Sequence, residues 1–234
     1  MNKVNLLILG EQKCGTTTLK NVLNNHYDIN FILREMHVFD SDLDPHEKYS
    51  SLIKDVKYNG ECTPLYLYNK SSIINILKYN PETKFLIILR NPILRAKSAH
   101  SMLQRHKQEY RTFNEAIEQQ ITLLNVEEDT VFIRARKHYL KRGFYVDSIK
   151  RLFEYVDKKN VHIVISENIW TNPQQELNKI FDFLEIPKID IDFQHKNKGD
   201  YDDTIDPEIY KKLDDLYKPK TKELEELLGI SIPW

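Results

Sequence analysis

Leu6-Leu7-Ile8-Leu9-Gly10-Glu11-Gln12-Lys13-Cys14-Gly15-Thr16-Thr17-Thr18-Leu19 reads as a buried strand, a glycine-bounded loop and a helix start. The apolar run begins at Val4 and is unbroken to Leu9, as in a strand covered on both faces. The loop is rich in backbone N–H groups and hydroxyls and carries one lysine. Amides at a helix N-terminus point at an anion, and the helix dipole favours its charge. The stretch therefore predicts a phosphate-binding loop at the leading edge of an α/β sheet.

The spacing is sharper than the composition. A triphosphate-binding loop reads G-x-x-x-x-G-K-[ST]. Gly10 and Gly15 have that spacing, but Thr16 stands where the lysine belongs. The lysine lies inside the loop, at Lys13. An ATPase or nucleotide kinase is weakened at this point, though it stays open as an alternative.

Outward from the loop, 234 residues suit one domain with a sizeable core. Basic and acidic residues balance at 34 and 35, so no global charge draws the chain to nucleic acid or an anionic membrane. No apolar run reaches membrane-spanning length. The chain runs straight into a strand, without a signal-peptide layout. Cys14 and Cys62 make neither a disulfide framework nor a zinc site, so a reducing cytoplasm is the expectation.

Strands are expected at Val4–Leu9, Ile29–Leu33, weakly at Asp55–Gly60, then at Lys84–Leu89 and Val161–Ile165. Helices are expected over 16–25, from Pro45 to about 53, over 70–79, from Pro92, from Gly143 through Tyr155, and over 173–185. Residues 108–142 read as a polar helical insertion, and two charged helical pieces close the chain. Strands alternating with helices imply a parallel sheet, with ligands beyond the strands' carboxyl ends. The polar clusters all fall there: Gly10–Thr17, Glu35 with His37, Glu61-Cys62-Thr63, Arg90 with Ser98, and Ser166-Glu167. Arg90 offers a planar fork for phosphate, and Ser98 lies about two helical turns further on.

Lys13–Leu19, taken with Arg90-Asn91-Pro92 and Arg95-Ala96-Lys97-Ser98, resembles the sulfotransferases that use 3′-phosphoadenosine 5′-phosphosulfate (PAPS). The resemblance implies a P-loop-like three-layer α/β fold, with a central parallel sheet flanked by helices. It implies that Lys13, Cys14, Gly15, Thr16, Thr17 and Thr18 hold the 5′-phosphosulfate and that Arg90 and Ser98 hold the 3′-phosphate. Lys198-Gly199 is similar to the loop that closes over the nucleotide, and Tyr145 in Gly143-Phe144-Tyr145 fits the same pattern.

Within that family, Arg34-Glu35-Met36-His37-Val38-Phe39-Asp40 is similar to the K-E-x-H-[FY]-F segment of the heparan sulfate sulfotransferases. Carried over, Glu35 is the general base, His37 supports it or the acceptor, and Lys13 stabilises the transferring group. Arg34 and Val38 depart from the pattern. The implied partners are PAPS, its product adenosine 3′,5′-bisphosphate (PAP) and a carbohydrate or other hydroxyl acceptor, with no metal. Lipid-linked sugar, small alcohol, amine and tyrosine stay open as acceptors. His100 and His106 are rival bases ranked below Glu35. A non-catalytic nucleotide-binding module of the same fold is the remaining alternative.

Overall fold

The computed structural model describes residues 3–124, 138–192 and 204–234. They fall in two compact units, Met1–Leu89 with Ser148–Lys198 and Arg90–Asp147 with Gly199–Trp234.

The first unit is built on a five-stranded parallel sheet: β1 (Val4–Gly10), β2 (Ile29–Phe31), β3 (Tyr58–Glu61), β4 (Lys84–Leu89) and β5 (Val161–Ile165). The order is β2-β3-β1-β4-β5. Leu6–Leu9 and Phe85–Leu89 are almost wholly shielded from solvent, which is why both strands read as unbroken apolar runs. The chain leaves β1 toward β2 on one side and leaves β4 toward β5 on the other. The sheet's switch point is therefore between β1 and β4, where such folds bind ligands. Gly10 pairs with Ile88 at that point. It has φ +149°, and a Cβ there would sit 2.6 Å from the Ile88 carbonyl oxygen. Only glycine lets β1 turn into the loop so close to its neighbour.

Helices α1 (Thr16–Leu23), α2 (Pro45–Tyr49) and α3 (Lys70–Tyr79) connect the early strands. The weak strand lies at Tyr58–Glu61, later than expected, because the Asn30 and Asn59 side chains rather than apolar residues organise its approach. The Pro45 helix ends at Tyr49, before Ser50 and Ser51. One helix was not foreseen: Ser166–Thr171, which follows β5 without a loop. We number it α7, after α6 (Tyr145–Phe153) and before α8 (Pro173–Leu184).

The second unit holds α4 (Pro92–Arg105), α5 (Phe113–Thr122) and α9 (Pro207–Leu228). Each start is capped by its own sequence. Asn91 accepts from Ile93 and Leu94, Thr112 and Glu115 form a capping box, and Asp206 accepts from Glu208 and Ile209. Their core gathers Ile93, Ala96, Leu103, Phe113, Ile117 and Leu213. Of the expected helical run over 108–142, the described part becomes helical at Phe113 with α5, 125–137 lie outside the described residues, and a 3-10 turn stands at Lys141–Gly143. The closing segment is one helix of 22 residues, not two pieces. Pro219 lies inside it and removes one backbone donor. Buried Ile209, Leu213, Tyr217 and Leu224 keep one apolar stripe in phase across the proline, so packing carries the helix through.

The same unit contains an acid-sensitive pair. Arg111 Nη2 and Nε donate to Glu109 at 2.6 and 2.9 Å, and the Tyr139 hydroxyl donates to it at 3.0 Å. These bonds hold the Glu109 carboxyl down at about 2, from an ordinary 4.5. Its contribution to stability is therefore complete above pH 4.5 and is lost as pH falls from 4.5 toward 2. With the Arg111 side chain 34% exposed and discounted for solvent, the effect is about 1–2 kcal/mol. Denaturation titrations should show a Glu109→Gln variant with less loss of stability over that window than the native chain.

Candidate active site

The loop after β1 is bent by two left-handed residues, Lys13 at φ +76° and Gly15 at φ +98°. Cys14 N–H donates back to Glu11 O at 3.1 Å and closes the turn. α1 starts on Gly15, which has no side chain with which to cap it. Its first-turn amides are thus served by no N-cap side chain, the arrangement that suits an anion. α7 walls this loop: a Cβ on Gly15 would lie 3.7 Å from Ser166 Oγ and 3.8 Å from Trp170 Cζ2. Trp170 Nε1 donates to Ser166 Oγ at 3.0 Å, which fixes the indole beside the loop. Nothing local to residue 170 connects it to Gly15.

The three threonines of α1 have different surroundings. Thr17 is exposed, whereas Thr16 and Thr18 are buried. Thr16 is hydrogen-bonded to the Cys62 side chain. Burial pushes the Cys62 thiol up to about 12, so it stays protonated as a neutral partner at the end of β3. Thr18 lines a groove with Asn21, Asn25 and Asp190.

After β2 the chain forms an irregular segment whose backbone groups are tied down one by one. Lys20 is 6% exposed, and its ammonium donates to Leu33 O. The Ser41 hydroxyl donates to His37 O at 2.6 Å, and Asn75 Nδ2 to Phe39 O at 3.1 Å. On this frame Glu35 and His37 come together. His37 Nε2 is 3.4 Å from Glu35 Oε2, and His37 Nδ1 is 2.9 Å from Asp40 Oδ2. The Glu35 side chain is 50% exposed and that of Asp40 1%. A solvent-facing carboxylate is thus backed by an imidazole, and the imidazole by a buried carboxylate. The sequence named Glu35 and His37 as a pair. Asp40 was quoted in the segment without a role, since the turn that brings it under His37 is a tertiary feature.

In the second unit, the Tyr145 hydroxyl donates to Arg90 O at 2.8 Å, which brings two of the expected nucleotide residues together. Arg90 is partly exposed, and Ser98 is buried on α4. Lys198 and Gly199 lie outside the described residues. His100 is no rival base. It is 2% exposed, it packs edge-on against Phe113 and Tyr139, and its Nε2 is 3.0 Å from Arg111 O. Burial holds its pKa below the ordinary histidine value. His106 is exposed where α4 ends. Arg111, five residues further on, is paired with Glu109.

Residues 3–198 match the family described as "Sulfotransferase domain". Heparan sulfate glucosamine 3-O-sulfotransferase 5 of Mus musculus is 23% identical over 260 residues, spanning 97% of this chain and 73% of that protein. The fold is similar to a sulfotransferase from Alicyclobacillus acidocaldarius, with a TM-score of 0.84 at 22% identity over 99% of this chain and 98% of that one. It is also similar to mouse sulfotransferase SULT7A1 complexed with PAP, with a TM-score of 0.60 at 18% identity over 95% and 86%. A strand, an anion loop with its lysine displaced to Lys13, and a five-stranded parallel sheet are thus the parts of a known enzyme class: the chain belongs to the sulfotransferase family, which takes its sulfuryl group from PAPS.

Proposed function

We propose that the chain transfers the sulfuryl group of PAPS to a carbohydrate hydroxyl, with Glu35 as general base and Lys13 stabilising the group in transit. The observation that carries the base assignment is the Glu35–His37–Asp40 chain, exposed at one end and buried at the other. The carbohydrate acceptor rests on the heparan sulfate sulfotransferases among the relatives.

The acceptor hydroxyl gives its proton to Glu35 as its oxygen attacks sulfur. One S–O bond forms, the bond from sulfur to the 5′-phosphate oxygen breaks, and PAP leaves with that electron pair. Negative charge develops on the sulfonate and phosphate oxygens. Lys13, Gly15 and the amides of Thr16, Thr17 and Thr18 are the groups assigned to it, aided by the dipole of α1. His37, held by Asp40, orients the Glu35 carboxylate. Arg90, Ser98, Tyr145, Lys198 and Gly199 are assigned to the nucleotide and its 3′-phosphate.

Calorimetry tests the donor. Folded protein is expected to bind PAP, and ATP with magnesium far more weakly. ATP binding without PAP binding refutes the assignment. A transfer screen with labelled PAPS over desulfated glycosaminoglycan fragments, simple alcohols, phenols and amines tests the acceptor. Label on phenols or amines but on no sugar refutes the carbohydrate class alone.

A further inference from the structure

His37 stands in the left-handed region, at φ +52°, which non-glycine residues adopt only sparsely. Such a conformation persists only where neighbouring groups over-determine it. Here the neighbours are buried polar groups beneath the segment. Met36 N–H donates to Glu61 Oε1 at 3.2 Å and to Thr63 Oγ1 at 3.3 Å. On the other side of His37, Val38 N–H and Phe39 N–H donate to the Tyr66 hydroxyl oxygen at 2.8 and 3.3 Å. Backbone N–H groups can only donate, so the Tyr66 oxygen accepts both and its own hydrogen goes to Glu61 Oε1, 3.1 Å away. Tyr49 donates to Glu61 Oε2 at 2.6 Å, and Thr63 donates to Oε1. Glu61 is fully buried and Tyr66 is 0% exposed. The carboxylate thus serves as a hub: it takes the tyrosine hydrogens and leaves the Tyr66 oxygen to the two amides.

We propose that Glu61 and Tyr66 are positioning residues for the transfer step. They clamp the backbone on both sides of His37, hold it in the left-handed conformation, and so keep Glu35, His37 and Asp40 in line. This rests on the reading of Glu35 as the base. Neither side chain touches the acceptor in this scheme. Their effect passes through His37 to Glu35.

The test is Tyr66→Phe, which keeps the ring that packs edge-on against Phe39 and removes the hydroxyl. Amide hydrogen exchange at Val38 and Phe39 is expected to speed up. Transfer to the best acceptor of the panel is expected to fall about ten- to a hundredfold, the cost of a small misplacement of a reacting group. PAP affinity is expected to stay within about twofold. In a Glu35→Gln background, Tyr66→Phe should cause little further loss, because the base it serves is gone. Unchanged exchange at Val38 and Phe39 overturns the clamp. So does an equal loss of turnover in both backgrounds, which is what a general structural defect produces. If Glu35→Gln alone leaves transfer intact, the base reading fails, while accelerated exchange in Tyr66→Phe still establishes the clamp on His37. Should Tyr66→Phe not fold, Thr63→Val removes one acceptor of Met36 N–H, and exchange at Met36 decides by the same criteria.

Discussion

Glu35→Gln is expected to lower sulfuryl transfer about a thousandfold while PAP binding stays unchanged. General-base catalysis is worth roughly a hundred- to ten-thousandfold, and glutamine removes all of it. The substitution is otherwise mild. The side chain is half exposed, keeps its length and can still meet His37 Nε2 through its amide oxygen. It buries no new polar group and opens no cavity, so the denaturation midpoint should not move. Single-turnover kinetics with labelled PAPS, paired with PAP calorimetry, separates the chemical step from binding. A variant that keeps more than a tenth of the native rate contradicts Glu35 as base. His100 then does not inherit the role, because its ring is enclosed by Phe113 and Tyr139.

Lys13→Ala is the second large effect, with a loss of transfer of roughly a hundred- to a thousandfold, the scale for removing one donor to a developing oxyanion. Alanine is the informative choice. Lys13 sits at φ +76°, and alanine bears nearly the same backbone penalty there as lysine. Glycine would relax the turn and confuse a charge effect with a conformational one. If Lys13 acts on the sulfonate, the loss appears mainly in the transfer rate with PAPS, and affinity for PAP, which lacks the sulfonate, drops less. An affinity for PAP that collapses while the rate at saturating PAPS is retained would make Lys13 a phosphate-binding residue only. Rapid-quench measurement of the two quantities distinguishes these cases.

The fold was legible where burial is uniform. β1 and β4 lie inside the sheet and read as continuous apolar runs, and Asn91, Thr112 and Asp206 mark helix starts through local hydrogen bonds. It was less legible where distant contacts override local preference. β3 carries Asn59 and Glu61, polar residues satisfied by Asn5, Lys54, Tyr49 and Tyr66 from elsewhere in the chain. The final helix continues past Pro219 because its buried stripe is in phase on both sides. α7 was missed because Ser166-Glu167 reads as a polar strand end, while its helix follows from packing beside Gly15.

The strand, loop and helix start from Val4 to Leu23 were legible in the sequence alone. Strand, glycines, displaced Lys13 and helix start are consecutive, and their chemistry depends on backbone conformation over a few residues. Glu35 and His37 were visible together as a motif, yet their geometry was not. His37 holds a left-handed backbone, and the groups proposed to hold it, Glu61 and Tyr66, lie 24 and 29 residues away in the chain. Asp40 is brought beneath the imidazole by that same turn, and Lys20 reaches Leu33 O from α1. Local hydrogen bonding and hydrophobic period can be read along a chain. The placement of the left-handed segment around His37 by buried polar groups exists only once the sheet has brought those groups under it.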